Sequence, residues 1–353
     1  MITLSNVRTT ASGRGRKGAA LVATTVVALG LAACGGSSDT GASGASGGGD
    51  AAGYPKGPVT IVVPFSAGGP TDTVTRLIAE PMSATLGKQV IVQNVEGAGG
   101  TLGAGEVADA ENDGQKLLLH HIGMSTAPSL YANLPYKPLE SFATIGLVTI
   151  VPMTIVAKKD LPPTTLRELA DYVKANKDSV TYANAGIGAA SQLCGLLIEK
   201  AFGVDMTEVS YKGTGPAMTD LVGGQVDFMC DQTTNTTPQI KGGKIKAYAV
   251  TTAERVASLP DVPTTAEAGL PELEVGVWHG LYAPAGTDPA IIAKLTGALA
   301  AALKDQKVID KMADLGTAPV AADQVTPQAH TAYLKAQLDL WGPVIKAAGV
   351  TAK

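Results

Sequence analysis

Arginine is nearly absent from the body of this chain: beyond residue 33 it occurs as Arg76, Arg167 and Arg255 alone. None of the three stands in a glycine-rich turn. An anion held here must therefore be met by backbone N–H groups, helix N-termini and hydroxyls. Basic clusters are missing as well. Arg8, Arg14, Arg16 and Lys17 precede residue 34 and no acidic residue does, which leaves 23 basic against 31 acidic side chains and a net charge of −8. Such a body excludes nucleic acid as an expected partner and offers an anionic ligand no long-range attraction. Four histidines, His120, His121, His279 and His330, lack any H-E-x-x-H or cysteine-paired spacing, so no metal and no cofactor is expected. The loop PFSAGGPTDT (64–73) has no lysine to close a nucleotide-triphosphate cradle.

Long apolar runs are also scarce. The one candidate, 18–34, has about sixteen apolar or small residues, short of the ~20 that span a bilayer. With the basic residues before it, it reads as an export signal covering 1–33. It ends Leu31-Ala32-Ala33-Cys34, a bacterial lipobox, so Cys34 is the expected lipidation site. The Gly/Ser-rich stretch 34–53 then serves as a tether. The expectation is an exported protein, periplasmic or at the cell surface, held to the membrane by lipid. Cys194 and Cys230 are the remaining thiols. Export favours a disulfide between them, while two buried free cysteines are the alternative.

What is present is alternation. VTIVVPF (59–65), QVIVQN (89–94), KLLLHH (116–121), VTYAN (180–184), TEVSY (207–211), VDFMC (226–230) and IKAYAVTT (245–252) read as buried strands, separated by helical spacings. Pro70 opens one helix, and Asp72 in its first turn favours the dipole and caps the helix. Thr165 and Glu168 form a capping box before Leu166, Leu169, Ala170 and Val173. Pro216 starts a further helix that Gly223-Gly224 ends. The fold class is α/β with mostly parallel strands. Two extended stretches, 143–160 and 273–288, interrupt the pattern and are expected to cross between two lobes, 54–153 with 277–353 and 154–276. A ligand cleft then lies between the lobes, at strand carboxyl ends.

Turns rich in glycine and hydroxyls recur at 66–71, 97–101, 185–191, 213–215 and 233–237. Singly each is an ordinary βα connection; together they favour a small anion clasped in the cleft. An enzyme is the other reading. Gly186-Ile187-Gly188 with Ser191 and Asp205 is a weak dinucleotide fingerprint, and His120-His121 at a strand end offers a base for a hydrolase.

The segments YPKGPVTIVVPFSAGGPTDTVTRLIAEPM, VIVQNVEGAGGTLGAGEVADA, YKGTGPAMTDLVGGQVDFM and SLPDVPTTAEAGLP resemble the Bug family, the extracytoplasmic receptors of tripartite tricarboxylate transporters, in order from Tyr54 almost to the end. The resemblance implies a two-lobe type 2 periplasmic-binding-protein fold joined by crossing strands, no enzymatic activity, and a small carboxylate ligand. Partners would be the permease subunits of such a transporter, or a sensor kinase, with the receptor a monomer. The family's loop after the first strand corresponds to Phe65, Ser66, Ala67, Gly68, Gly69, Thr71 and Asp72. Its second-lobe loops correspond to Ala185, Gly186, Gly188, Ala189, Ala190 and Ser191, and to Lys212, Gly213 and Thr214. LLLHHIGMSTAP, FMCDQTTNTT and VWHGLYAP most resemble members that take aspartate-like or other C4 dicarboxylates, which adds His121 and Asp231 to the implied site. Asp72, near a helix N-terminus, is the residue expected to face a ligand ammonium.

Overall fold

The computed structural model describes residues 53–352; Cys34, the signal and most of the tether lie outside the described residues. Strand and helix alternate as β1 (Val59–Val63), α1 (Pro70–Leu86), β2 (Val90–Asn94), α2 (Thr101–Ala108), β3 (Lys116–His121) and α3 (Gly123–Leu130). The long β4 (Phe142–Lys158) leads into α4 (Leu166–Ala175), β5 (Thr181–Asn184), α5 (Ala190–Phe202), β6 (Thr207–Ser210), α6 (Thr214–Val222), β7 (Phe228–Gln232), α7 (Thr233–Lys241) and β8 (Ile245–Val250). The chain returns through β9 (Gly276–Pro284) and closes with α8 (Pro289–Ala302), α9 (Gln306–Asp314) and α10 (Pro327–Ala348).

The strands join in the order β2-β1-β3-β9-β4-β7-β5-β6, with β8 also on β4. β4 is what unites two lobes. Its residues 142–152 pair with β9, and from Met153 onward it pairs with β7 and β8. The sheet is mixed rather than mostly parallel. β1, β2 and β3 are parallel to one another, as are β5, β6 and β7, but β4 and β9 run antiparallel to their neighbours. β4 and β9 lie side by side and run in opposite senses.

Burial on both sheet faces explains the unbroken apolar runs. Ile61, Leu117 and Leu119 face α1 and α8 through Val74, Ile78, Met82, Leu295 and Leu299. Val62 and Leu118 turn the other way, into the cluster that holds Trp278, Tyr282 and Leu334. Each such side chain, fully buried, contributes roughly 1.5–3 kcal/mol.

Local rules place the ends. β1 stops before Pro64, which has no N–H to give the ladder. Thr165 caps α4 by accepting from Glu168 N, but the Glu168 carboxylate reaches Thr164 N and Oγ1, one residue before the cap, so only half of the capping box forms. α6 starts at Thr214, two residues before Pro216, which occupies an interior first-turn position where its missing N–H is harmless.

Cys194 on α5 is bonded to Cys230 on β7, with Cα atoms 6.1 Å apart. Both are buried. Replacing the pair by alanine is expected to lower unfolding free energy by about 2–4 kcal/mol, the usual worth of a bridge closing a loop of this size. Urea titration checks this, and intact mass with and without reductant must differ by two protons.

Candidate functional site

Four helices begin on one cavity. It is lined by Gly69, Pro70 and Thr71 at the start of α1, Ala189, Ala190 and Ser191 at the start of α5, Thr214 of α6 and Gln232 before α7. Phe65, His121, Ala185 and Asp231 complete the wall. The cavity volume is only about 20 Å³, far below the ~300–1,000 Å³ of the usual small-molecule site, so its walls nearly meet in this structure.

The caps of these helices set the chemistry. Gly69, Ala189, Gly213 and Gln232 occupy the N-cap positions, and none supplies a side-chain cap. Of the helices away from the cavity, α4, α8, α9 and α10 are capped by the side chains of Thr165, Asp288, Asp305 and Thr326, while α2 and α3 have no side-chain cap. First-turn N–H groups of a helix have no partner within it, and each N-terminus carries roughly half a positive charge. Four termini without side-chain caps converge on one cavity with no arginine or lysine in its wall, an arrangement able to meet an anion with backbone N–H groups.

The arginines confirm the division of labour. Arg76 is half exposed and donates to Asp72 at 2.9 Å. Arg255 pairs with Glu267 at 2.9 Å, and Arg167 lies against Gly269. None lines the cavity.

The two aspartates of interest have opposite fates. Asp72 accepts from Gly68 N at 2.9 Å, Arg76 Nε at 2.9 Å and Asn94 Nδ2 at 3.1 Å. Burial pushes its pKa up, but these donors more than offset it and the carboxyl sits below its ordinary value. Asp72 does not line the cavity, and α1 has no side-chain cap. Its carboxylate fixes loop 66–69 instead, which corrects the expectation that it caps α1. Asp231 lines the cavity, is 1% exposed, and has no ion-pair partner among the described residues. Its carboxylate accepts from Asn235 Nδ2 at 2.6 Å and also from the Gln232 N–H and the Thr214 hydroxyl. Burial, partly countered by hydrogen bonds, pushes its pKa up to about 6.

The histidines are neutral. Burial lowers His120 and His279 to about 3 and His121 well below 6.5. His121 Nδ1 accepts from Gly123 N at 3.0 Å, so the neutral ring carries its proton on Nε2 and is a donor there. The ring stacks on Phe65, 4.5 Å between centroids. His279 meets Thr71 Oγ1 at 3.3 Å, yet its Nδ1 has no hydrogen-bond partner. A ring so buried and unsupported is a poor general base.

Of the remaining implied residues, Ala67 and Gly68 are exposed, on the outer side of the loop. Gly186 and Lys212 line a separate outer pocket with Gly99, Tyr131 and Ile187. Gly188 and Gly213 stand between the lobes: Thr126 Oγ1 donates to Gly188 O at 3.1 Å, and a Cβ on Gly213 would overlap Ser66 Oγ. Ser66 N donates to Lys212 O at 3.2 Å, and its Oγ is buried without a partner. Gln232 was not expected; its Oε1 is likewise unpartnered. Its position at a strand end, directly before a helix, was the available signal.

Comparison with known proteins agrees with this geometry. A family model described as tripartite tricarboxylate transporter family receptor matches residues 74–350. The UPF0065 protein of the TAR-I ttuE-ttuC' intergenic region of Agrobacterium vitis is 55% identical over 296 residues, 84% of this chain and 86% of that protein. The structure of the periplasmic binding protein BugD superposes with a TM-score of 0.83 at 53% identity, covering 85% of this chain and all of that one. MatC from Rhodopseudomonas palustris with bound malate gives 0.81 at 43% identity, covering 83% and 100%.

Proposed function

Because the chain belongs to the tripartite tricarboxylate transporter family of periplasmic receptors, we propose that its cavity takes one small dicarboxylate and that the lobes deliver it to a membrane permease. The observation that carries this reading is the convergence of four uncapped helix N-termini on a cavity that no arginine or lysine lines. Carboxylate oxygens satisfy those N–H groups, and closure removes competing water, which strengthens each hydrogen bond. Malate bound in MatC supports a ligand of this class.

The ligand is a C4 acid that carries a hydroxyl or ammonium. Asp231 is an acceptor with no cation near it, so a donor on the ligand meets it. The lobes are 54–153 with 277–353 and 154–276, hinged at β4 and β9. The test is calorimetric titration with malate, aspartate, succinate and adipate, with product analysis after long incubation. Malate or aspartate must bind tighter than succinate, adipate weakest, and no product must form. Binding of none of the four, or turnover of any, rejects the reading.

Anchoring belongs to the same reading: the export signal ends at a lipobox, and lipid on Cys34 keeps the receptor beside its permease. Cys34→Ser must move the protein from the membrane to the soluble fraction or leave the precursor uncut. A wild-type protein found wholly soluble, cut elsewhere, excludes it.

A further inference from the structure

One contact between the lobes touches no part of the cavity wall. Tyr131, just after α3, donates its hydroxyl to Ile187 O at 2.8 Å across the interlobe seam, and the same hydroxyl lies 2.9 Å from Ala98 O in its own lobe. Ala98 O also accepts from Thr101 Oγ1 at 2.9 Å. The loop that presents this carbonyl has an unusual backbone. Gly97, Ala98, Gly99 and Gly100 all have positive φ, at 129°, 43°, 61° and 95°, and Ala98 is the one such non-glycine among the described residues. A conformation of that kind persists where its surroundings over-determine it. Here they do so with hydroxyls from both sides of Ala98, one of which reaches the other lobe. The loop also has to be bare. A Cβ on Gly99 would overlap Ile187 O and come within 2.7 Å of Tyr131 Oη.

We propose that Tyr131, the 97–100 loop and Ile187 O form a latch that sets ligand affinity by stabilising the closed receptor without touching the ligand. The proposal rests on the reading of the cavity as a carboxylate site. A donor shared between two carbonyls of different lobes is fully used when the lobes meet, and opening returns one carbonyl to water. The latch therefore acts on the closed, ligand-retaining state and slows release.

The experiment compares wild type, Tyr131→Phe and Gly99→Ala by calorimetry, stopped-flow release and small-angle scattering, with malate, aspartate and succinate as probes. Tyr131→Phe keeps the ring and loses one neutral hydrogen bond, so it must weaken every ligand by the same factor, about five- to tenfold, through faster release. The ranking of ligands stays that of wild type, which a residue in the cavity would not preserve. Gly99→Ala must keep its circular dichroism yet remain open in scattering at ligand concentrations that close wild type. Wild-type release rates in Tyr131→Phe, or an altered ligand ranking, overturn the latch. If wild type binds none of the probes, the cavity reading fails, and scattering alone then decides the latch: Gly99→Ala must be more open than wild type, and identical curves end the proposal.

Discussion

Ala189→Asp is expected to abolish ligand binding, with any gain from capping α5 set against the cost of burying a carboxylate on the wall that Asp231 already lines. Ala189 is the N-cap of α5, has φ −71° and ψ 156°, and faces the cavity without capping the helix. Those angles suit an aspartate cap, which ordinarily stabilises a helix by about 0.5–2 kcal/mol relative to alanine. The new carboxylate would occupy the N–H groups that the ligand uses and repel the ligand's charge. Loss of one charge-assisted hydrogen bond costs about 1.5–3 kcal/mol, so a fall in affinity of ~100-fold or more is expected once repulsion is added. Ala189→Ser, a neutral cap, should lose far less. Thermal unfolding and calorimetry check both halves, and wild-type affinity in Ala189→Asp would remove α5 from the binding site.

The second large effect concerns Asp231, where stability and function pull in opposite directions. Its folded-state pKa, about 6, lies above the ordinary aspartate value of 3.8. The ionised form is thus penalised in the fold, and the penalty is full above about pH 6 and fades as pH falls through 6 toward 3.8. At about 1.4 kcal/mol per pKa unit, unliganded protein carries a cost of roughly 3 kcal/mol at pH 7. Asp231→Asn removes the charge and keeps the shape. It weakens the bond from Asn235, so a net gain of about 1–2 kcal/mol is expected. Urea unfolding from pH 8 to pH 4 should show the variant more stable at neutral pH and the two converging near pH 4. The same variant should lose its preference for aspartate or malate over succinate. A variant destabilised at pH 7, or one with the wild-type preference, would mean that Asp231 is already satisfied by the protein.

Much of this was legible in local pattern. Strand cores such as VTIVV and KLLLHH bury both faces, and their continuous apolar runs announce it. Stretches 143–160 and 273–288 stood out by length and became β4 and β9. The glycine-rich loops pointed to backbone recognition because the arginines stood elsewhere. What pairing decides was not legible. Asp72 looked free, although Arg76 stands four residues on, the spacing of a helical ion pair. Asp231 enters the expected site through the family resemblance alone; nothing in its strand pattern shows that folding puts it on the cavity. The antiparallel sense of β4 and β9 depends on which strands meet, as does the contact of the 97–100 loop with Ile187.

Whether helix N-termini rather than cations hold the anion is decided by titrating the triple variant Arg76→Ala/Arg167→Ala/Arg255→Ala with the carboxylate that wild type binds best. The expected affinity is within about twofold of wild type, less than one neutral hydrogen bond is worth, since none of these guanidinium groups lines the cavity. A folded triple variant that no longer binds would contradict it and place the anion beside an arginine.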